Sequence, residues 1–288
     1  MTKTTATAIG FIAVLLWALL ALFTVGAREV PALQLNAVCF AIGGAIGVIW
    51  TTVSKRWHEL RDVPLSIYAF GTVGLFGYHF LYFSALKAAP PAEAGLIAYL
   101  WPLLIVLFSG FLPGEHLRPL HLIGAAVSFL GAALIVAKGA SFAGDYTLGY
   151  LLAAACALTW SSYSVISRRF QSVSSMVVTI YCLATAVLSL IAHLALEDTV
   201  WPSTQLGWAS MIALGLGPVG AAFYVWDIGV KRGNIQLLGT ASYAAPLLST
   251  LVLVGAKIAE PRATLIVSAL LITAGAGLAA YQSRQTQS

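Results

Sequence analysis

Ten runs of about 20 predominantly apolar residues, separated only by short polar breaks, leave this chain few folds to choose from. They cover roughly 8–26, 33–53, 65–86, 93–112, 119–137, 147–167, 174–196, 207–227, 235–255 and 263–281. At about 1.5 Å per residue, each is long enough as a helix to cross a hydrocarbon core of about 30 Å. The runs are continuously apolar rather than alternating over about ten residues, which selects helices over barrel strands. With 60% hydrophobic and 9% charged residues, the chain lacks the polar side chains to cover a water-soluble globule. The predicted fold is an all-α integral membrane protein with ten transmembrane helices embedded in a lipid bilayer.

Lys and Arg predict the orientation. With the N-terminus cytoplasmic, Lys3, Lys55, Arg56, Arg61, Arg118, Arg168, Arg169, Lys231, Arg232 and Arg284 fall on that side, against Arg28, Lys87, Lys138, Lys257 and Arg262 on the other. Ten against five places both termini inside by the positive-inside rule. The net charge of +5 therefore reports topology, and no nucleic-acid partner is expected. Lys3 before an apolar run imitates a secretory leader, but the nine runs that follow make it an uncleaved first helix. Cys39, Cys156 and Cys182 all lie inside spans as packing residues, so no metal site, cofactor or disulfide framework is expected.

The chain also repeats itself. Lys87, Gly95, Tyr99, Pro102, Leu103 and Leu104 recur as Lys231, Gly239, Tyr243, Pro246, Leu247 and Leu248, at an offset of 144 in 288 residues. Ten spans then divide into residues 1–143 and 144–288, five spans each. Five is odd, so the second copy must enter the membrane from the opposite face. Two inverted five-helix repeats of this kind are a transporter architecture, in which asymmetry between the halves opens the bundle to one side or the other.

Helix breakers occur in matching places. Span three carries Gly71, Gly74 and Gly77; span eight carries Gly215, Gly217, Pro218 and Gly220, and these are the expected hinges. Pro102 in span four matches Pro246 in span nine, and each frees a carbonyl four residues earlier, at Ala98 and Ser242. Carbonyls released within a membrane should face protein or a polar cavity. The string Gly215-Leu-Gly-Pro-Val-Gly220 formally matches a dinucleotide fingerprint, but with no preceding strand it reads as a kinked helix.

Aromatic and ionisable residues narrow the site. Trp50, Trp57, Trp201, Trp208 and Trp226 fall near span ends, where interfacial belts belong. Trp17, Trp101 and Trp160 lie deeper and, with Tyr99 and Tyr243, suggest an aromatic-lined pocket. His79 sits near the middle of span three with Tyr78 adjacent and Tyr82 and Phe83 on its face; an ionisable group at that depth points to function. Glu93, Asp227, Lys87 and Lys231 read as boundary anchors, which leaves no carboxylate at mid-membrane.

Trp17 in the first helix, Tyr99-Leu-Trp-Pro102, Trp226-Asp-Ile-Gly229 followed by Gly233-Asn234, and Ser242-Tyr243-Ala-Ala-Pro246 resemble the drug/metabolite transporter superfamily (EamA-type), in its branch of amino acid exporters. The resemblance implies a bacterial inner-membrane exporter with ten helices around a central cavity. Asp227, where the pattern has asparagine, and His79, where it has an acidic residue, depart from it.

The expected substrate is an aromatic or other neutral amino acid. Its binding residues would be Trp17, Tyr78, His79, Tyr82, Tyr99, Trp101, Pro102, Trp160, Ser242, Tyr243 and Pro246. Neutral dipoles and aromatic faces would recognise it, without a buried Arg–carboxylate clamp. Drugs and other metabolites are alternative cargo. A passive channel would favour a continuous polar lining that the spans do not show, and an intramembrane enzyme would need a reactive constellation that is also missing. No catalytic residue is expected. The Gly43-x-x-x-Gly47 pattern is read as packing within one chain, and the protein as a monomer.

Overall fold

The structure is a computed structural model that describes residues 1–137, 139–142 and 144–285, with side chains through Gln282. Lys138 and the Arg284 side chain, two charges used for orientation, lie outside the described residues, as do Ala143 and Ser288 at the repeat limits. Ten helices have the length and apolarity to cross a membrane: α1 Lys3–Gly26, α2 Ala32–Val53, α3 Leu65–Ala88, α4 Pro91–Ser109, α5 Pro119–Val136, α6 Thr147–Phe170, α7 Ser175–Leu196, α8 Gln205–Arg232, α9 Ile235–Gly255 and α10 Ala263–Gln282. Each coincides with one of the ten apolar runs, and there is no strand among the described residues.

Helix pairing is symmetric. α1 packs on α8 and α6 on α3, while α2 packs on α7, α5 on α10 and α4 on α9, so exchanging the two halves leaves the scheme unchanged. Since lipid is as apolar as Leu, these contacts depend on close approach rather than on expulsion of water. Gly10 of α1 and Gly229 of α8 show such an approach: a Cβ on Gly229 would stand 2.5 Å from Gly10 Cα. Gly43 meets Gly220, and Gly47 meets Tyr224 and Thr179, so this small-residue pattern packs within the chain.

The matched breakers are matched distortions. α3 contains a π-helical segment at Val73–Gly77 and α8 one at Gly217–Ala221. The two segments are 144 residues apart, the offset of the sequence repeat. Such turns insert an extra residue into the hydrogen-bond ladder and bend the helix. α4 and α9 are interrupted instead at Tyr99–Leu100 and Ser242–Tyr243, where each helix restarts with its proline in the first turn of the new segment.

Two sequence expectations need correction. Span eight runs to Arg232 rather than ending at 227, so Trp226 is no interfacial belt residue but a fully buried one. Asp227, Lys231 and Glu93 do not snorkel either. Asp227 and Lys231 form a buried ion pair at 2.9 Å, and Glu93 accepts bonds from the Ser141 and Phe142 N–H groups and the Tyr150 hydroxyl. Trp50, Trp57, Trp201 and Trp208 are exposed near helix ends, as belts require.

Candidate functional site

Four tryptophans from four helices meet at the centre of the bundle. The Trp17 ring lies 5.9 Å from Trp101, 6.1 Å from Trp160 and 5.1 Å from Trp226. Trp160 and Trp226 are stacked, and the Trp226 indole N–H donates to Ser164 Oγ at 3.1 Å. A buried indole needs such a partner, which fixes the ring's depth and direction.

Above this layer, toward the end opposite Lys3, lies a cavity of about 240 Å³. It is lined by Trp17, Tyr78, His79, Tyr82, Tyr99, Trp101, Trp160 and Pro246, together with Leu20, Ala21, Ala98, Pro218, Val219, Phe223, Ala245 and Ser249. Among the described residues, no Asp, Glu, Lys or Arg lines it. A larger hollow of about 510 Å³ opens at the periphery between α1, α9 and α10, but its Thr7 hydroxyl is already committed to Lys3 O and the Asn234 N–H. The central cavity is lined by Pro218 and Val219 of the α8 π-segment and by Tyr78 and His79, which directly follow the α3 π-segment.

Ring nitrogens connect the cavity to those distortions. His79 Nδ1 lies 2.8 Å from the Leu75 carbonyl, inside the α3 π-segment. A carbonyl only accepts, so Nδ1 carries the proton and a neutral imidazole presents Nε2 as an acceptor. In α8 the Ala222 N–H that would close an α-turn on Pro218 bonds Gly217 instead, and Trp17 Nε1 donates to the Pro218 carbonyl at 3.1 Å. Each π-segment thus has a carbonyl tied to a cavity side chain.

Three of the eleven expected binding residues stand outside the lining. Tyr243 is buried, and its hydroxyl accepts the Leu103 N–H at 3.0 Å, capping the second part of α4. The Ser242 hydroxyl donates to Leu238 O, and its carbonyl accepts the Ala245 N–H, so the carbonyl expected to be free is not. Pro102 is buried in the first turn of the restarted α4 segment, where its carbonyl faces Gly239. These residues build the breaks rather than face the cavity. Of the expected hinges, only Pro218 lines it; Gly71 and Gly74 lie beneath the Tyr181 and Tyr163 rings, where an added Cβ would clash. Phe223 lines the cavity and Trp226 floors it, and neither was singled out for the site in the sequence. The offset of 144 pairs them with His79 and Tyr82, the signal that could have found them.

Below the tryptophans the bundle is tied shut. Arg168 of α6 donates to Val230 O at 3.1 Å, to Gly233 O at 2.8 Å and to Glu115. Glu115 also accepts from Gln236 and stands 3.8 Å from Lys3. At the opposite end Glu29 accepts from Ser203, and Glu197 accepts from the Leu33 and Gln34 N–H groups. Burial raises the Glu197 carboxyl, but the bonds from His193, Leu33 and Gln34 and the charge of Lys87 outweigh it and hold the pKa below the usual value.

The sequence matches the EamA-like transporter family twice, over residues 4–137 and 147–281. It is 52% identical over 288 residues, 99% of this chain and all of the relative, to a protein of Ancylobacter novellus named aromatic amino acid exporter YddG. An Escherichia coli protein of the same name is 23% identical, with 87% of this chain and 88% of that one covered. A probable terminal-alkyne amino-acid exporter of Streptantibioticus cattleyicolor is also 23% identical, over 80% of this chain and 81% of that one. A crystal structure sharing 52% identity superposes with a TM-score of 0.94, covering 98% of this chain and 100% of the other.

Proposed function

Because this chain belongs to the EamA-like transporter family, we propose that it exports aromatic and other neutral amino acids across a bacterial inner membrane by alternating access. It is a multi-pass transporter and not an enzyme. The observation that carries the substrate reading is the central cavity: small, aromatic, free of formal charge, and bordered by the α8 π-segment and by Tyr78 and His79, which follow the α3 one.

The cavity suits a zwitterion with an apolar side chain. The Trp101 and Trp160 faces offer stacking surfaces for a ring and cation–π contact for an α-ammonium, worth about 0.5–2 kcal/mol. His79 Nε2 accepts from that ammonium, and the Tyr78, Tyr82 and Tyr99 hydroxyls donate to the carboxylate. At about 240 Å³ the space lies below the roughly 300–1,000 Å³ of drug-sized sites, which favours an amino acid over a sugar nucleotide. Drugs and other small metabolites remain the second reading, as aromatic surfaces accept many apolar cations.

In this account the two halves, divided at 143/144, are inverted copies, and both termini are cytoplasmic. The structure is then the outward-open form, with the Arg168–Glu115 cluster closing the inner side. Export requires α3, α4, α8 and α9 to rebend at their π-segments and breaks, closing the mouth and opening the inner end. A monomer suffices, since the cavity is built from one chain. The test is purified protein in vesicles, offered phenylalanine, tryptophan, leucine, a cationic dye and a sugar nucleotide. Saturable transport of the amino acids is expected; transport confined to the dye or the sugar nucleotide would refute the reading.

A further inference from the structure

The closed half of the bundle holds charges that the cavity lacks. Asp227 and Lys231 lie one turn apart on α8, 2.9 Å from carboxylate to ammonium, with side chains 1% and 2% exposed. Lys231 also donates to Val173 O at 3.3 Å. Neither carboxylate oxygen of Asp227 has an aligned hydrogen-bond donor among the described residues, although buried polar atoms are nearly always bonded. Tyr163 and Tyr181, whose rings wedge against Gly74 and Gly71 of α3, lie within electrostatic range of the carboxylate. A buried ion pair contributes little net stability, and in a membrane ionisable side chains mark pathways.

The repeat indicates which pathway. At the offset of 144, His79 and Tyr82 of the open cavity correspond to Phe223 and Trp226, and Lys87 corresponds to Lys231. Lys87, on the open side, is 62% exposed. When the halves exchange conformations, the α8 face continuing from Trp226 takes the place that the α3 face now holds, and Lys231 enters the aqueous path. The ion pair there has the charge pattern of a zwitterion. An α-ammonium can replace Lys231 at Asp227 while an α-carboxylate replaces Asp227 at Lys231, leaving no charge uncompensated.

We propose that Asp227 and Lys231 form a second recognition site, reached from the inner face, for the ammonium and carboxylate groups of an amino acid, and that the pair closes on itself once the substrate has passed. The proposal rests on the amino acid export reading. Charge recognition happens on entry, and the uncharged outer cavity then selects by side chain and releases outward.

The experiment compares KM at the inner and outer faces of vesicles holding uniformly oriented protein, for phenylalanine, phenethylamine and 3-phenylpropionate. The wild type is expected to prefer the zwitterion over both single-charge analogues at the inner face, by at least tenfold more than at the outer face. Lys231→Gln should erase the preference over the amine and Asp227→Asn the preference over the acid. The swapped Asp227→Lys/Lys231→Asp variant retains an ion pair but reverses its polarity, so inner-face discrimination should not return. Equal discrimination at both faces of the wild type, or recovery in the swapped variant, would overturn the proposal and leave the pair as packing. Wild-type vesicles that carry phenylalanine from neither face would instead refute the export reading.

Discussion

Replacing Trp17 by Phe removes the bond between the cavity and the α8 π-segment. One aromatic ring remains, and with it part of the contact with Trp101, Trp160 and Trp226; the donor to Pro218 O is lost with the pyrrole ring. A neutral hydrogen bond is worth about 1 kcal/mol net, and a buried carbonyl left without a partner costs about 1–3 kcal/mol. Because that carbonyl lies beside a cavity that water can reach, the low end applies, about 1–2 kcal/mol. Such a change alters an equilibrium between two arrangements of the α8 π-segment by about 5–30-fold. Since the indole N–H is held by Pro218, it is not a substrate contact. Trp17→Phe should therefore change KM by less than threefold while kcat for phenylalanine in vesicles changes about fivefold or more. The apparent Tm of the purified protein should fall by roughly 2–8 °C, at about 2–4 °C per kcal/mol. A rise of tenfold in KM with unchanged kcat would place the N–H on the substrate instead. Wild-type values for all three quantities would show that the bond does nothing.

Three further outcomes follow from the geometry. His79→Asn can keep a donor toward Leu75 O but removes the Nε2 acceptor, so it should raise KM by about tenfold, the worth of one charge-assisted hydrogen bond of about 1.5 kcal/mol; His79→Gln, which can place an acceptor near the Nε2 position, should lose less, measured by initial rates in vesicles. Gly229→Val drives a branched side chain into Gly10 Cα and should lower the apparent Tm by several degrees through overpacking of about 1–3 kcal/mol, with Gly229→Ala intermediate. The Glu197 pKa is lowered in the folded protein, so its bonds stabilise above the unfolded value of about 4.3 and are lost as pH falls through the lower folded value; apparent Tm measured from pH 7 to pH 3 should hold near neutrality and drop below about pH 4.5, and Glu197→Gln should shrink that drop.

The spans were legible because hydropathy is the dominant force on a chain of this composition, and the helix distortions because the breakers recur at one offset. The residues at Tyr99, Trp101, His79 and Tyr82 were legible for a related reason: aromatic and polar groups at mid-span are conspicuous against apolar neighbours. Trp226 was not. Hydropathy falls at Asp227 and Lys231, which ended span eight five residues before its true limit at Arg232 and left the tryptophan at an apparent surface. The two charges neutralise each other inside the bundle, a pairing that a hydropathy profile cannot register. Tyr243 misled in the opposite sense. It repeats Tyr99 in sequence, but its hydroxyl is spent on the Leu103 N–H, so one tyrosine of the pair lines the cavity and its copy holds the broken helix.

The most direct test of the account is phenylalanine transport by purified protein in vesicles, wild type against Trp101→Ala. Trp101 lines the cavity, touches Trp17, Trp160 and Trp226, and has Ala245 as its counterpart in the second half, so its loss removes the main stacking surface from one side of the site. Saturable wild-type transport, with kcat/KM at least tenfold lower in a folded Trp101→Ala protein, is the result expected. Wild-type rates no higher than those of protein-free vesicles, or equal rates for the two proteins, would contradict it.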